Sequence, residues 1–451
     1  MRKIIQYMMM ALIAVVLASC ANDISEESTP TVKSNIRFVV DDFPMFEKPS
    51  TRTIGEEDKG KTAWAVGDEI CVKLESKELG IQTATLKYNG VKFEIQDGNS
   101  LCYLDGEPVT AYAYYAPGRK WLNDGNLGYK DGERDGTAEF LEATCTVHYG
   151  DDNYIDISFA NVTRNYSRLR IATLPNEQIT VDTEYFTPAG SSDMEQNGNY
   201  TLTSDEKGNA YLYGTFENNS EVTVKYREAA LATYTFSQAT ESAKSYALDA
   251  TVISANSAEE IKSAIEQKVA DGKTTIRLNL APNAGTDEFM AIREAIKGAA
   301  PNDEGTIELT IIGVETIPEE AFKRMSQLKS VKMPNVKEIK KYAFSECRYL
   351  TVVEAPSLNK LNSGAFNECY LLSKLTFGPI NYADARYWPI FEDITPNIDL
   401  ILSDYQKEMI ETDDDLYTAN NDIDYADSNK HWNKNFLGRE FKSITCRFKV
   451  E

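Results

Sequence analysis

The sequence predicts a mainly β protein, in which an antiparallel β-sandwich region is followed by an α/β solenoid of repeated units. Three observations support this prediction. Residues 33–250 are dense in tyrosine and contain short segments of alternating apolar and polar residues, separated by turn residues such as Asp124-Gly125. Five columns of residues recur every 22 positions within residues 314–378. The 451 residues exceed one ordinary domain, so we expect two or three domains.

Composition and net charge exclude several classes of protein. Apolar residues make up 42% of the chain and charged residues 26%, which is a globular composition. The 47 basic and 70 acidic residues give a formal net charge of −23. An acidic surface argues against nucleic-acid binding, which requires basic side chains, and against electrostatic adsorption to anionic lipids. No apolar run after the N-terminus is long enough to span a bilayer, so we expect no transmembrane helix.

Residues 1–19 have the form of a lipoprotein signal peptide. A positive region with Arg2 and Lys3 precedes the apolar run Met8–Leu17, which is too short for a membrane span. The run ends in Leu17-Ala18-Ser19-Cys20, which resembles the bacterial lipobox. The resemblance implies that the Cys20 thiol receives a diacylglyceryl group and that cleavage makes Cys20 the first residue. The alternative is an ordinary signal peptide with an incidental cysteine.

A polar and acidic tether, residues 20–32, follows the expected cleavage site. Acidic residues directly after a lipidated cysteine resemble the export signal that sends some lipoproteins to the outside of the outer membrane. In this chain they are Asp23, Glu26 and Glu27. We therefore expect a protein that is attached to the outer membrane through its N-terminal lipid and is exposed at the cell surface.

Six of the seven cysteines remain once Cys20 is lipidated. An even number in an exported protein permits disulfides. Four of the six lie in apolar or alternating contexts that favour buried thiols, although their disulfide status stays open: Cys71, Cys102, Cys145 and Cys446. Cys347 and Cys369 share one repeat column and are expected in the solenoid interior. No CxxC spacing occurs, so we expect no structural zinc site. No other metal and no cofactor is expected from the sequence.

A period of 22 residues defines the C-terminal half, and one unit reads V-x-x-I-x-x-x-A-F-x-x-C-x-x-L-x-x-V-x-x-P. The five columns are Val314, Val336 and Leu358; Ile317, Ile339 and Leu361; Ala321-Phe322, Ala343-Phe344 and Ala365-Phe366; Leu328, Leu350 and Leu372; and Val331, Val353 and Leu375. The Leu-x-x-Val segment predicts a short strand. Because a unit cannot cover its own apolar edge, the units must stack into a right-handed solenoid. The pattern resembles the leucine-rich repeat of the BspA-like surface-protein family.

Segments on both sides of the repeats are expected to cap the solenoid. In residues 251–313, Ser257 and Glu260 form a capping box in front of an apolar helical stripe. A strand, a second helix and the strand 307–312 follow, which predicts an N-terminal cap or a degenerate repeat. Residues 379–451 are expected to close the other end.

Short motifs in residues 33–250 resemble the fimbrillin-like family of pilus and adhesion lipoproteins. They are Thr51-Arg52-Thr53; Trp64-Ala65-Val66-Gly67-Asp68-Glu69-Ile70; the tyrosine-rich Ala111-Tyr112-Ala113-Tyr114-Tyr115; and the closing Ser242-Ala243-Lys244-Ser245-Tyr246. Ala243 stands where the family pattern has glycine. The resemblance implies two transthyretin-like sandwiches. From the residues alone, Trp64 and Asp68 are interpreted as a turn that enters a strand, with the indole in the core.

The same resemblance implies a route of assembly. Fimbrillins that polymerise are cleaved after an arginine, which removes the first strand, and a strand from the next subunit fills the groove by β-augmentation. Here Ile36–Val40 is the corresponding strand and Arg52 the corresponding arginine, so other pilus subunits are candidate partners. The alternative is that Arg52 is a solvated loop residue in a permanently lipid-anchored protein. A bulky C-terminal solenoid favours this alternative, because it suits a pilus tip or a solitary adhesin better than a shaft subunit.

Solenoids bind ligands on the exposed face of their strand ladder. Alternation in the strand segments directs six side chains outward: Ser330, Lys332, Val352, Glu354, Lys374 and Thr376. Their chemistry is mixed and lacks an aromatic row, which favours a protein partner. With three repeats this face would be small, so a spacer or scaffold role is the alternative.

Enzymatic activity is not indicated. The only histidines, His148 and His431, have no paired nucleophile pattern, and no HExxH, P-loop or GxGxxG motif occurs. The acidic run 411–427 matches no EF-hand spacing and is interpreted as a solvated loop. We therefore predict a surface adhesin or pilus-accessory lipoprotein that binds host or bacterial surface proteins. The alternative is a glycan-binding or nutrient-capture lipoprotein, which needs an exposed aromatic platform; Trp121, Trp388 and Trp432 are its candidates.

Overall fold

The computed structural model describes residues 32–448, except 35, 51–53, 97–100, 130–133, 150–154, 160–161, 163, 228, 256, 384–389, 392–393, 395–396, 405–434 and 437–438. Strands dominate these residues, and two helices lie among them. The chain forms three successive parts, which we name the N-terminal β-unit (residues 32–162), the central β-unit (164–252) and the solenoid (253–448). The predicted fold class, a mainly β sandwich region followed by an α/β repeat solenoid, is confirmed.

The N-terminal β-unit contains eleven described strands: β1 (Val32–Lys33), β2 (Ile36–Val40), β3 (Glu69–Ser76), β4 (Gly80–Tyr88), β5 (Phe93–Ile95), β6 (Tyr103–Leu104), β7 (Val109–Tyr115), β8 (Arg119–Trp121), β9 (Leu127–Tyr129), β10 (Leu141–Tyr149) and β11 (Ile155–Phe159). Seven of them form one sheet in the order β2-β11-β10-β7-β3-β4-β5. Its neighbours run antiparallel, except that the edge strand β2 lies parallel to β11. The strands alternate in burial as the sequence pattern predicts, for example along β7.

Trp64 and Asp68 occupy the turn that leads into β3. The Trp64 indole packs edge-on against Phe43, with 4.8 Å between ring centroids, and its Nε1 donates to the Asp41 carbonyl at 2.8 Å. The Asp68 carboxylate accepts from the Ala65 backbone N–H, which closes the turn. The interpretation of this motif as a turn entering a strand is confirmed, and the indole is half-buried at the rim of the core.

The central β-unit is built from β12 (Ser167–Ala172), β13 (Gln178–Pro188), β14 (Glu195–Thr203), β15 (Asn209–Phe216), β16 (Glu221–Tyr226), β17 (Ala229–Thr235) and β18 (Ser245–Asp249). Six strands follow the order β17-β16-β13-β15-β12-β18, and β14 also pairs with β13. The long strand β13 changes its partner from β16 to β15 next to Tyr185, whose φ of 47° breaks the regular strand. The bend folds the sheet over a core in which the ring centroids of Phe186 and Phe216 lie 4.5 Å apart.

The solenoid comprises β19 (Ile253–Ser254), α1 (Ala258–Ala270), β20 (Thr275–Asn279), α2 (Thr286–Ala299), β21 (Ile307–Ile312), β22 (Thr316–Ile317), β23 (Leu328–Lys332), β24 (Glu338–Ile339), β25 (Val352–Ala355), β26 (Lys360–Leu361), β27 (Lys374–Phe377), β28 (Tyr382–Ala383), β29 (Asp399–Ser403), β30 (Asn435–Phe436), β31 (Arg439–Glu440) and β32 (Ser443–Phe448). An all-parallel sheet runs β19-β20-β21-β23-β25-β27-β29-β32, and a second parallel ladder runs β22-β24-β26-β28. The first ladder therefore continues on both sides of the segment with the 22-residue period.

The Ala-Phe column forms the spine of the solenoid core. Phe322, Phe344 and Phe366 are fully buried and stack at centroid distances of 5.2 and 5.4 Å. Cys347 and Cys369 are also fully buried, and their thiols donate to the carbonyls of the preceding unit at 3.0 and 3.1 Å. The prediction that these two cysteines are interior solenoid residues is confirmed. Burial raises the pKa of the Cys347 thiol to about 12.

A linking segment, residues 41–50 and 54–60, connects the two β-units. Phe46 is fully buried between the guanidinium groups of Arg164 and Arg168, which lie 3.9 and 4.9 Å from its ring centroid. Farther along the segment, Glu47 forms a β-bridge with Lys244 of the central β-unit. The segment therefore belongs to both cores.

Candidate functional site

The parallel register of the long ladder places the predicted face residues in two adjacent columns. One column holds Ser330, Val352 and Lys374, and the other holds Lys332, Glu354 and Thr376. The residues between them, such as Val331, are buried in the core, so the six side chains lie on the solvent side of the sheet.

The same two columns continue beyond the segment with the 22-residue period. Asp399 and Ile401 of β29 pair with Lys374 and Thr376, and Ser443 and Thr445 of β32 follow. These positions were missed from the sequence because Lys374 and Asp399 are 25 positions apart, which breaks the period. The accessible ladder is therefore five strands wide, from β23 to β32, and wider than three repeats alone would make it.

The charges on this face are paired with one another. The Glu354 carboxylate lies 3.5 Å from Lys332 Nζ and 3.9 Å from Lys374 Nζ. At one flank, Lys329 Nζ and Glu308 approach to 2.8 Å, and their hydrogen bond raises the pKa of Lys329. All of these side chains are substantially exposed, so solvent screens each pair and the pairs contribute little to stability. They can exchange their present partners for groups on a bound molecule at small energetic cost.

The central β-unit covers the N-terminal end of the ladder face. Arg277 Nε of β20 donates to the Leu231 carbonyl of β17 at 2.6 Å. Ile312 at the end of β21 is 3% exposed and joins the apolar core of the central β-unit. Thr310 on the same strand is also buried. The part of the face that remains accessible therefore begins at β23, where the predicted residues begin.

The remaining ladder and turn surfaces carry a few exposed large hydrophobic side chains. Tyr370, Leu371 and Tyr382 are each about 40 to 50% exposed. Tyr370 Oη donates to the Glu368 carboxylate at 3.0 Å, and Arg348 lies 5.8 Å from the Tyr370 ring centroid. Sequence reasoning did not single out these residues, because Tyr370 and Leu371 lie in a turn and Tyr382 lies in the second ladder, outside the two columns of the face.

The other residues singled out from the sequence do not lie on the described ladder face. Trp121 donates from Nε1 to the Ala84 carbonyl at 3.0 Å and packs against Tyr114, so it offers no open platform. His148 is an exposed residue of β10. Several positions lie outside the described residues: Cys20, Arg52, Trp388, His431, Trp432 and the acidic run 411–427.

The described residues show neither a cluster of metal-ligating side chains nor a membrane-spanning helix. Within them, no group of three or more His, Cys, Asp or Glu side chains is arranged to hold a metal ion. None of the helices among them has the length and apolar character to cross a membrane.

Cys145, one of the four cysteines outside the repeats, has a free, buried thiol, and burial raises the pKa of this thiol to about 12.

The stacked parallel strands, the phenylalanine spine and the exposed ladder face define a leucine-rich-repeat solenoid. Residues 306–387 match the BspA-type leucine-rich-repeat region in six copies, which confirms the repeat resemblance for well under half of the chain. No curated protein matches the chain. A solved structure with weak similarity is GBS52, the minor pilin of the Gram-positive pathogen Streptococcus agalactiae. The match has a TM-score of 0.19 and 10% identity and covers 49% of this chain and 94% of that chain. So low a TM-score supports no inference about fold or function.

Proposed function

We propose that this protein is a cell-surface lipoprotein that mediates adhesion, as a pilus-accessory or tip component or as a solitary adhesin. In this proposal the accessible ladder face of β23 to β32 binds a protein partner. The observation that carries the proposal is that the central β-unit covers one end of the face, whereas five strands are left uncovered by the residues that the structure describes. The BspA-type repeat in residues 306–387 supports a surface-associated binding role.

The dimensions of the face constrain its partner. Strands in a sheet lie about 4.8 Å apart, so five strands span roughly 20 Å, and two residue columns add about 7 Å in the other direction. The resulting area of roughly 140 Å² is well below the about 800 Å² per partner of a standard protein interface. A partner must therefore insert a narrow element, such as a strand or loop, along the columns and add contacts on the neighbouring turns.

Charge reversal tests this binding face. We expect the double variant Lys332→Glu/Lys374→Glu to lose roughly tenfold or more in affinity, because both changes set like charges beside Glu354 at the centre of the face. The measurement is surface plasmon resonance of the purified full chain over a panel of immobilised host matrix proteins. The matched control is Lys340→Glu/Lys360→Glu, which makes the same charge change at two exposed lysines, one in the second ladder and one directly after a strand of it. Equal loss in both variants, or no binding to any panel member, would contradict the proposal.

We propose that a lipid on Cys20 delivers the protein to the outer membrane, and two fates of this anchor are open. In the first, cleavage after Arg52 removes β2 together with the first part of the linking segment. Phe43 and Phe46, both buried, would then leave their places in the core, and a strand from another subunit would have to fill the groove. In the second, the chain stays intact and anchored.

N-terminal sequencing of the surface-shed protein distinguishes the two fates. A start at residue 53 that disappears in the variant Arg52→Ala is the result expected for cleavage. A sole start at Cys20 in both proteins is the result expected for a permanent anchor.

A further inference from the structure

A cleft of about 670 Å³ opens between the N-terminal and central β-units. The N-terminal β-unit contributes Tyr115 at the end of β7 and the loop that carries Lys61, and the central β-unit contributes side chains of β12, β14 and β15. Among the described residues, none from the solenoid lines the cleft. Its volume lies within the range of small-molecule sites, roughly 300 to 1,000 Å³. The cleft is thus a second candidate site, separate from the ladder face.

Charged side chains in and behind the walls of the cleft are paired with one another. Lys61 pairs with Asp68 and donates to Tyr115 Oη at 3.0 Å. Arg168 is 3.0 Å from the Asp58 carboxylate. The buried Arg164 is 2.6 Å from Glu139, one of the wall residues.

The pairs balance in formal charge. The cations are Lys61, Arg164, Arg168 and Arg170, and the carboxylates are Glu56, Asp58, Asp68 and Glu139. A ligand with net charge would have to separate partners that are partly or fully removed from water, which is costly. The cleft therefore favours a neutral ligand that hydrogen-bonds to charges already in place.

The aromatic side chains in the walls of the cleft set a second requirement for its ligand. Tyr211 and Tyr213 are neighbours on the same face of β15, with 6.4 Å between their ring centroids and an interplanar angle of 26°. Tyr115 lines the wall of the cleft that the N-terminal β-unit contributes. Tyrosine rings present an apolar face for C–H groups and a hydroxyl for hydrogen bonds. A ligand with apolar C–H faces and many hydroxyls satisfies both the rings and the paired charges.

Backbone geometry at Gly60 and a hydrogen bond to Ser245 fix the position of Arg168 in the wall of the cleft. Gly60 has a φ of +65°, and a Cβ at this position would come within 2.7 Å of Arg168 Nη1. A glycine is therefore needed for the loop to approach the guanidinium group. Arg168 also donates to the Ser245 hydroxyl at 2.7 Å, so its orientation is set before any ligand arrives. Preorganised groups of this kind lower the entropy lost on binding.

We infer that this cleft binds a neutral saccharide. The inference is independent of the adhesive role proposed for the ladder face, because the two sites share no residue. Recognition is through stacking of the sugar ring on the tyrosine walls and hydrogen bonds from its hydroxyls to the paired side chains.

The test uses the purified full chain on an array of neutral oligosaccharides and their sialylated and sulfated counterparts, followed by titration calorimetry with the best-bound compound. We expect binding to neutral compounds. Thr203→Tyr, which fills the cleft from an exposed position on β14, and Tyr211→Ala, which removes a stacking surface, should each weaken it by about tenfold. Thr235→Tyr, the same change at an exposed strand position outside the cleft, should bind as the wild type does.

Three results would overturn the inference. These are no binding to any neutral compound, a preference for anionic compounds, or wild-type affinity in both cleft variants with wild-type circular dichroism. Each leaves the ladder face untouched, since binding to matrix proteins is measured with other variants.

Discussion

Phe46 offers a test of whether the linking segment is an integral part of the two β-units. The variant Phe46→Ala removes a ring that is 1% exposed and that also contacts Tyr166 edge-on at 6.4 Å. Truncation of a buried phenylalanine to alanine costs about 3 to 5 kcal/mol. Loss of a desolvated cation–π contact with Arg164, whose guanidinium lies 3.9 Å from the centroid, adds up to about 2 kcal/mol. We expect a loss of about 5 kcal/mol, which is a large part of the stability of an ordinary domain.

The assay is urea unfolding of the full chain at 25 °C, followed by tryptophan fluorescence, to which Trp64 contributes from the adjacent turn. With a dependence on urea of about 2 kcal/mol per M, the midpoint of this transition should fall by roughly 2.5 M. Met45→Ala is the control, because Met45 is 47% exposed and its truncation leaves no cavity. A shift below about 0.5 M for Phe46→Ala, or equal shifts in both variants, would refute the reasoning. It would also remove the argument that cleavage after Arg52 opens a groove that must be refilled.

Three further predictions concern the solenoid core, the linking segment and a buried thiol. Phe344→Ala removes the middle ring of the stacked spine and should cost about 3 to 5 kcal/mol in urea unfolding, whereas Lys340→Ala in the same repeat should cost less than about 0.5 kcal/mol. Gly60→Ala forces a Cβ against Arg168 at a positive φ and should lower stability by about 1 kcal/mol or more; an unchanged melting temperature would contradict this. Cys347, with its thiol pKa raised to about 12 by burial, should resist iodoacetamide at pH 8 in the native protein and react only after unfolding, as measured by mass spectrometry; native labelling would show that the core is open.

The solenoid shows how far local pattern can predict structure. Each 22-residue unit has the same local pattern of apolar residues. The columns that begin with Leu328 and with Ala321-Phe322 therefore determine the strand, the returning turn and the buried side of every unit. The outward positions follow by alternation, which is why Ser330 and Lys332 could be placed on the face without a structure. The strands β29 and β32 were not predicted as part of the face, because their spacing departs from the period although their side chains fit the same sheet.

The sequence by itself therefore determined the fold class and the identity of the repeat, because both depend on periodicities that adjacent residues display. Only the tertiary structure decided which part of the ladder face stays accessible, since Arg277 bonds to the central β-unit and Ile312 joins its core across a junction that no periodicity encodes. The same holds for the cleft, where Lys61, Arg168 and Tyr211 come from segments far apart in the chain. Their convergence depends on the packing of one β-unit against the other, and packing is set by the shapes and charges of surfaces that exist only after each unit has folded.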